Sequence, residues 1–317
     1  MLDPIHSSPR ASSARGPRCR RIRRVRVGLP SLPERAMTSD PRTVAYIDGS
    51  QMLYRAEFGF PSRIINRSDC DVTGLFGFLA LTRKALTGSP LSPTHAVIVF
   101  DADAPTTRSR IDPRYRAMRQ QLPAESADNP FRHLPWIKRS LQVWGMPYVE
   151  DESAEADDVI SALVDRDGTA RHHAIVISRD KDFHQLVDAH VSQWDSARGR
   201  EKGWITPEAI LERYRIGPSQ WCDYIGLVGD PADGMPGVRG IGPVRAERML
   251  RGGRSLDDIT DELTPPERLD ALRQRDLHRL NARIQIPPTE PSLLPAEGLP
   301  RAAAVLDALG LWDSPYP

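Results

Sequence analysis

The chain is short of cysteine, lysine and long apolar runs, and each shortage removes a class of protein. Its three cysteines, Cys19, Cys70 and Cys222, are an odd number without C-x-x-C spacing. Neither a disulfide framework nor a thiolate zinc site fits, and a reducing, cytoplasmic setting is expected, nucleoid-associated if the source is bacterial. The purest hydrophobic run, Ala96 to Phe100, falls far short of the roughly 18 to 20 residues that span a bilayer, so no membrane-spanning helix is expected. Only four of the 43 basic residues are lysine, so positive charge here is nearly all guanidinium. A chain of 317 residues, 39% hydrophobic and 27% charged, is then a globular protein of one or two domains.

The net charge of +1 hides an asymmetry. Residues 1–36 hold nine arginines against Asp3 and Glu34, which leaves 34 basic and 40 acidic residues in the rest. The run Arg18 to Arg26 lies among Ser and Pro without apolar periodicity and reads as a disordered basic tail over residues 1–39. No apolar stretch of secretory type follows it. The sequence leaves two readings of this tail, with Met37 as the true start or with an organellar transit peptide.

From residue 43, short apolar runs alternate with helical periodicity, the βαβ rhythm of a mostly parallel sheet flanked by helices. Strands are predicted at Thr43–Ile47, His95–Phe100, Pro147–Val149, Ala174–Ser178 and Val191–Gln193, and helices at Val72–Leu86, His133–Trp144, Ala156–Asp165 and Phe183–Val187. The polar stretch between Asp101 and Pro135 is too long for an ordinary connection and reads as functional or flexible. After Ile205 only helices are predicted, at Pro207–Tyr214, Pro218–Leu227, Gly242–Leu250 and Pro266–Ile284. The expected organisation is a catalytic α/β domain over 40–204, a helical subdomain over 205–284 and a Pro-rich extension over 285–317 with one helix at Arg301–Leu309.

Acidic residues fall where such a sheet would use them. Asp48 and Asp101 end two predicted strands, and Asp180 and Asp182 follow a third. In an open parallel sheet the carboxyl ends of the strands line one crevice. Glu155, Asp157 and Asp158 open a helix, with Glu155 and Asp158 on one face. Asp230 and Asp233 lie in the turn at the head of the helical part. Each has an ordinary explanation as a cap or turn residue. Together, nine carboxylates in one crevice would repel one another by several kcal/mol, an arrangement that persists only if cations neutralise it. Oxygen donors without cysteine or a well-placed histidine select Mg²⁺, with Mn²⁺ as a substitute, over zinc. With those acids answered by divalent ions, the remaining surface is slightly positive and DNA is a fitting partner.

These residues resemble the 5′-nuclease family, the 5′-3′ exonuclease domain of bacterial DNA polymerase I and its flap endonuclease relatives. The resemblance is carried by Tyr46-Ile47-Asp48-Gly49-Ser50, Val99-Phe100-Asp101 with Ala104-Pro105 and Arg108, Glu155-Ala156-Asp157-Asp158-Val159-Ile160, Asp180-Lys181-Asp182 with Gln185-Leu186, Ile205-Thr206-Pro207, Gly229-Asp230 with Asp233, and Pro236 to Pro243. It implies a PIN-like (resolvase-like) fold with a C-terminal helix-hairpin-helix subdomain and two metal groups. Asp48, Asp101, Glu155, Asp157 and Asp158 match the first group, and Asp180, Asp182, Asp230 and Asp233 the second. It further implies a monomeric Mg²⁺-dependent enzyme, standing alone without a polymerase module, that hydrolyses DNA at 5′ ends and 5′ flaps in replication and repair.

Gly237, Gly240 and Gly242 resemble the family's helix-hairpin-helix, where glycine lets the backbone approach a phosphate and the amides near Pro243 to Arg245 face it. The resemblance also implies K⁺ at this hairpin, held by backbone carbonyls. Arg108, Arg110, Arg114, Tyr115, Arg116 and Arg119 resemble the family's helical arch, with Arg108, Arg116 and Arg119 holding the 5′ or scissile phosphate and Tyr115 stacking on a base. Two departures stand out. Gly234 replaces the family's usual Asn, and Arg116 its common Lys, which is not a neutral change where a lysine would move a proton. Five tryptophans, 136, 144, 194, 204 and 221, read as core, and His172, His173 and His184 as surface or satisfied residues. Two alternatives stay open on sequence alone, a PIN-type ribonuclease and a catalytically inactive DNA-junction binder.

Overall fold

The computed structural model describes residues 42–101, 108, 112, 126, 129–152, 154–167, 172–286 and 288–314. The expected basic tail over 1–39, and Arg110, Arg114, Tyr115, Arg116 and Arg119 of the expected arch, lie outside the described residues.

Strand β1 (Thr43–Asp48) alternates Val44 and Tyr46 with Ala45 and Ile47, and both sets are apolar. A strand with that pattern is covered on both faces, as a central strand of a parallel sheet requires. It pairs in parallel with β2 (His95–Asp101) on one side and β4 (His173–Ile177) on the other. The sheet continues to β3 (Tyr148–Asp151) beside β2, and to β5 (Val191–Trp194) and the antiparallel β6 (Trp204–Ile205) beside β4, giving the order β3-β2-β1-β4-β5-β6. The chain steps outward from β1 through β2 to β3, then returns to β1's other side with β4. The topological switch point therefore lies between β1 and β4, where doubly wound sheets bind their ligands.

One face of the sheet is covered by α1 (Gly49–Gly59), α2 (Thr73–Gly88) and α3 (Leu134–Trp144), whose Leu53, Phe78 and Leu141 pack with Ile47, Ile98 and Ile177. The other face is covered by α4 (Ala156–Asp167), through Val159, Ile160 and Leu163. After the short α5 (Gly199–Gly203), the helices α6 (Pro207–Tyr214), α7 (Trp221–Val228), α8 (Pro243–Met249) and α9 (Pro265–His278) build a third core around Trp221, Ile241 and Ala271. Trp144, Trp194 and Trp221 are buried core residues as expected.

Several expected elements differ from those observed. No helix was expected directly after β1, yet α1 begins at Gly49, with Asp48 both ending the strand and capping the helix through Gln51 N–H. The helix expected at Phe183–Val187 is instead a 3₁₀ turn, Lys181–Leu186, capped by Asp180. The helix expected to run to Ile284 stops at His278, because tertiary partners take the next backbone groups: Gln185 binds both the His278 carbonyl and Leu280 N–H, and Asp158 accepts from Asn281 N–H. In the Pro-rich 285–317 stretch, β7 (Ser292–Leu293) pairs antiparallel with the start of β2, and α10 (Ala302–Ala308) buries Val305 and Leu306 in the first core.

Candidate metal centre and nucleic-acid interface

Three strands deliver their terminal residues to one sheet edge. Adjacent strands are about 4.8 Å apart, so the ends of β2, β1 and β4 lie within about 10 Å of one another. Asp48 is held there from two sides: its Oδ1 accepts from Gln51 N–H at 2.9 Å, and its Oδ2 accepts from the Ser178 hydroxyl at 2.7 Å. The same hydroxyl oxygen accepts from Asp180 N–H at 3.0 Å. One serine thus ties the loop after β4 to the end of β1. Asp101 is fixed in a similar way, with the Ser50 hydroxyl accepting from its N–H at 2.8 Å and its own Oδ1 accepting from Ala156 N–H at 2.8 Å. That contact seats the N-terminus of α4, and with it Glu155, Asp157 and Asp158, against β2.

Glu155 and Asp158 share a face of α4, as their spacing predicts, and both meet one guanidinium. Arg108 donates to Glu155 Oε2 at 2.7 Å, to Asp158 Oδ1 at 2.6 Å and to the Arg279 carbonyl at 3.2 Å. The expected phosphate-holding arginine therefore sits inside the first acidic group, buried, and answers two of its charges. Burial still pushes the Asp158 carboxyl above its ordinary range, against the pull of Arg108 and of Asn281 N–H. Asp157 is buried on the same helix.

The second group comes from the 3₁₀ turn after β4 and from the helical part. Asp180 caps that turn by accepting from Asp182 N–H at 2.9 Å. Asp230 caps the turn Pro231–Asp233 by accepting from Ala232 N–H at 2.8 Å, while Asp233 turns inward. Asp182, Asp233 and His278 each offer one ligand atom, and these atoms lie within 4.8 Å of one another; all three residues are buried. The His278 Nδ1 lies 3.0 Å from Asp182 Oδ2 and 3.2 Å from Oδ1. Burial works against the charged imidazole, but the Asp182 hydrogen bond, with Asp233 and Asp230 nearby, outweighs it and holds His278 above its ordinary value.

The expectation of a site without a well-placed histidine is thereby corrected. His278 lies 96 positions after Asp182, and no local pattern links the two. Gln185 closes that gap, its amide donating to both the Asp182 and His278 carbonyls, at 2.7 and 2.9 Å. Residues 278–281 run between the two groups: His278 faces the second, while the Arg279 carbonyl and Asn281 N–H reach the Arg108–Asp158 pair of the first. Ser50 and Gln185, which help orient the acids, lie in stretches that carry the family resemblance, but the sequence assigns neither that role, and Ser178 reads there only as the end of a strand.

At the hairpin between α7 and α8, Gly237 and Gly240 adopt φ of +72° and +81°, and Gly242 precedes α8. A Cβ on Gly237 would lie 2.2 Å from the Val228 carbonyl oxygen, so this glycine is required for the close return of the chain past α7. At Gly240 a Cβ would meet nothing nearer than an Arg245 guanidinium nitrogen at 4.0 Å. Arg239, Gly240, Gly242 and Arg245 are exposed at the tip, with Arg245 Nη1 3.4 Å from the Gly240 carbonyl. Among the described residues no helix is long and apolar enough to cross a membrane.

Comparison with known proteins places this arrangement. Residues 43–215 match the 5′-3′ exonuclease N-terminal resolvase-like domain, and residues 216–285 match the 5′-3′ exonuclease C-terminal SAM fold. DNA polymerase I of Bacillus caldotenax is 32% identical over 248 residues, covering 77% of this chain and 28% of that protein. A 5′-3′ exonuclease of Aquifex aeolicus is 30% identical over 219 residues, covering 69% of this chain and 72% of that one. The chain thus spans about a quarter of the polymerases it matches and most of the Aquifex protein. Among solved structures, bacteriophage T5 flap endonuclease with DNA and metal ions superposes with a TM-score of 0.57 at 20% identity, covering 75% of this chain and 86% of that one. The Rad2 catalytic core with DNA substrate gives 0.52 at 17%, covering 85% and 88%. At those identities the structural likeness concerns the fold, and it shows the expected α/β architecture with its helical C-terminal part. On the match across both domains and on the Aquifex relative, the chain belongs to the 5′-3′ exonuclease family.

Proposed function

We propose that the protein is a 5′-3′ exonuclease and flap endonuclease that hydrolyses DNA phosphodiester bonds with two divalent ions, Mg²⁺ by preference, in primer or flap removal during replication and repair. The observation that carries this reading is the convergence of Asp48, Asp101 and Asp180 from three strand ends on one crevice, into which the helical part brings Asp233 within 4.8 Å of Asp182. The donors fit hard cations, since they are nearly all carboxylate oxygen and are held by backbone amides and hydroxyls before any ion arrives. Asp48, Asp101, Glu155, Asp157 and Asp158 would hold one ion, and Asp180, Asp182, Asp230 and Asp233 the other. Ions held by these residues would supply Lewis-acid chemistry, activating water and neutralising charge at a phosphodiester.

The chain's own groups do the positioning. Ser178 and Gln51 N–H fix both oxygens of Asp48, and Ala156 N–H fixes one of Asp101, so these carboxylates do not reorganise during a turnover. The exposed hairpin of Gly237, Gly240 and Gly242, with Arg245, grips the duplex backbone and sets register without reading bases. Arg108 stands among the acids where a scissile phosphate would enter and can exchange a carboxylate for a phosphate oxygen. Tyr115, Arg116 and Arg119 are assigned to the 5′ strand on the family pattern, and K⁺ to the hairpin. The enzyme acts as a monomer.

The test is a 5′-labelled flap duplex and its RNA counterpart, each with Mg²⁺ and with EDTA. Cutting of the DNA flap in Mg²⁺ alone is expected, with Asp182→Ala slower by more than about 100-fold, since it removes a ligand outright. Cutting confined to RNA, or an Asp182→Ala protein as fast as its parent, would overturn the reading.

A further inference from the structure

His278 is the one nitrogen donor in the buried triad with Asp182 and Asp233, and nothing in the carboxylate chemistry of the site calls for it. We propose that His278 Nδ1 is a direct ligand of the ion held by Asp182 and Asp233, and that this imidazole shifts the second metal position toward Mn²⁺ and later first-row ions at the expense of Mg²⁺. The inference deepens the two-ion reading above and rests on it.

Geometry supports a ligand. Two donors on one octahedral ion with bonds of about 2.1 Å stand about 3 Å apart, and His278 Nδ1 lies 3.0 Å from Asp182 Oδ2. That edge serves a shared proton or a shared cation equally well. The imidazole is completely buried at the last residue of α9, with its ring against the acids. Its backbone is locked to the turn bearing Asp182, because one Gln185 amide donates to both the Asp182 and His278 carbonyls while Gln185 Oε1 accepts from Leu280 N–H. The helix itself has little freedom, since α7 packs so closely that a Cβ on Gly226 would lie 2.7 Å from the Ala271 carbonyl oxygen. The nitrogen is thus held in place before an ion binds, which is the condition for discrimination by donor type.

The chemistry gives the direction. Mg²⁺ takes oxygen donors and gains little from imidazole, whereas nitrogen donors raise affinity along the first-row series. A position with two carboxylates and one imidazole therefore favours Mn²⁺ over Mg²⁺ more than an all-oxygen position would.

The test uses the untagged full-length protein and Mn²⁺ alone. Electron spin-echo envelope modulation of the Mn²⁺ protein should show coupling to one directly bound imidazole ¹⁴N. H278N places an amide near Nδ1 and can still donate to Asp182, so a merely orienting hydrogen bond survives while the imidazole is lost. In H278N the coupling should vanish, and the ratio of Mn²⁺ to Mg²⁺ affinity, from competition titrations, should fall about tenfold. Mn²⁺ bound to the parent without nitrogen coupling overturns the inference and leaves the carboxylate site standing, with His278 as a positioning residue. No Mn²⁺ binding at all overturns the two-ion reading as well. If H278N does not fold, the parent's coupling and its loss in H278Q decide the matter.

Discussion

At Ser178 a single hydroxyl serves both acidic groups, donating to Asp48 Oδ2 and accepting from Asp180 N–H. Replacing it with alanine deletes one oxygen from a buried position, which costs the fold about 1 to 3 kcal/mol. The larger effect falls on the site, where Asp48 and the Asp180 loop lose their common anchor. Ser178→Ala is expected to weaken divalent-ion affinity about 10- to 100-fold, read by calorimetric titration with Mg²⁺, with the maximal cleavage rate largely recovered at saturating ion. An unchanged titration would show that the two groups are positioned independently. Arg108 teaches the opposite lesson at the same scale. A buried guanidinium between Glu155 and Asp158 adds little net stability once desolvation is counted, and its local effect is to oppose the burial that pushes the Asp158 carboxyl up.

Among the elements, the hairpin between α7 and α8 separates two uses of glycine. Gly237 and Gly240 share a left-handed backbone, but only Gly237 is also packed against the Val228 carbonyl. Gly240→Ala should cost about 1 to 2 kcal/mol, the conformational penalty alone, and lower DNA affinity by placing a methyl group at the phosphate approach. Gly237→Ala should cost about 3 kcal/mol or more because the chain must also move. Urea unfolding of the two proteins checks this ordering, and equal midpoints would refute it.

The elements also show what a sequence can and cannot disclose. The central strands were readable because both of their faces are apolar, and the acids at their ends followed from the rule that parallel strands open onto one crevice. Helix α1 was not readable, because Asp48 ends one element and starts the next with no intervening loop. The 3₁₀ turn at Lys181–Leu186 carries apolar residues that suit a helix equally well. His278 and the early end of α9 depend on Gln185 and Asp158, partners roughly a hundred positions away, and only the docked fold reveals them.

For the whole molecule, the proposed hold on DNA would rest on arginine, since only four of the 43 basic residues are lysine. Each phosphate contact contributes about 0.9 to the slope of log affinity against log salt on duplex DNA. Arg239→Ala combined with Arg245→Ala, both at the exposed hairpin, should reduce that slope by about 2 while leaving sequence preference unchanged. Fluorescence anisotropy of a flap duplex over a salt series measures it, and a slope equal to the parent's would remove the hairpin from the interface.

The late position of residues 278–281 has a consequence for synthesis. A nascent chain still on the ribosome and short of His278 has its β-strand acids already translated, yet lacks the backbone groups that clasp Asp158 and the Gln185 amide. Asp158 and the Gln185 amide beside Asp182 lack these partners until the segment has emerged and α9 has docked. The order of synthesis therefore sets when the bridge between the two acidic groups can close, since that bridge is supplied only after every acid it serves.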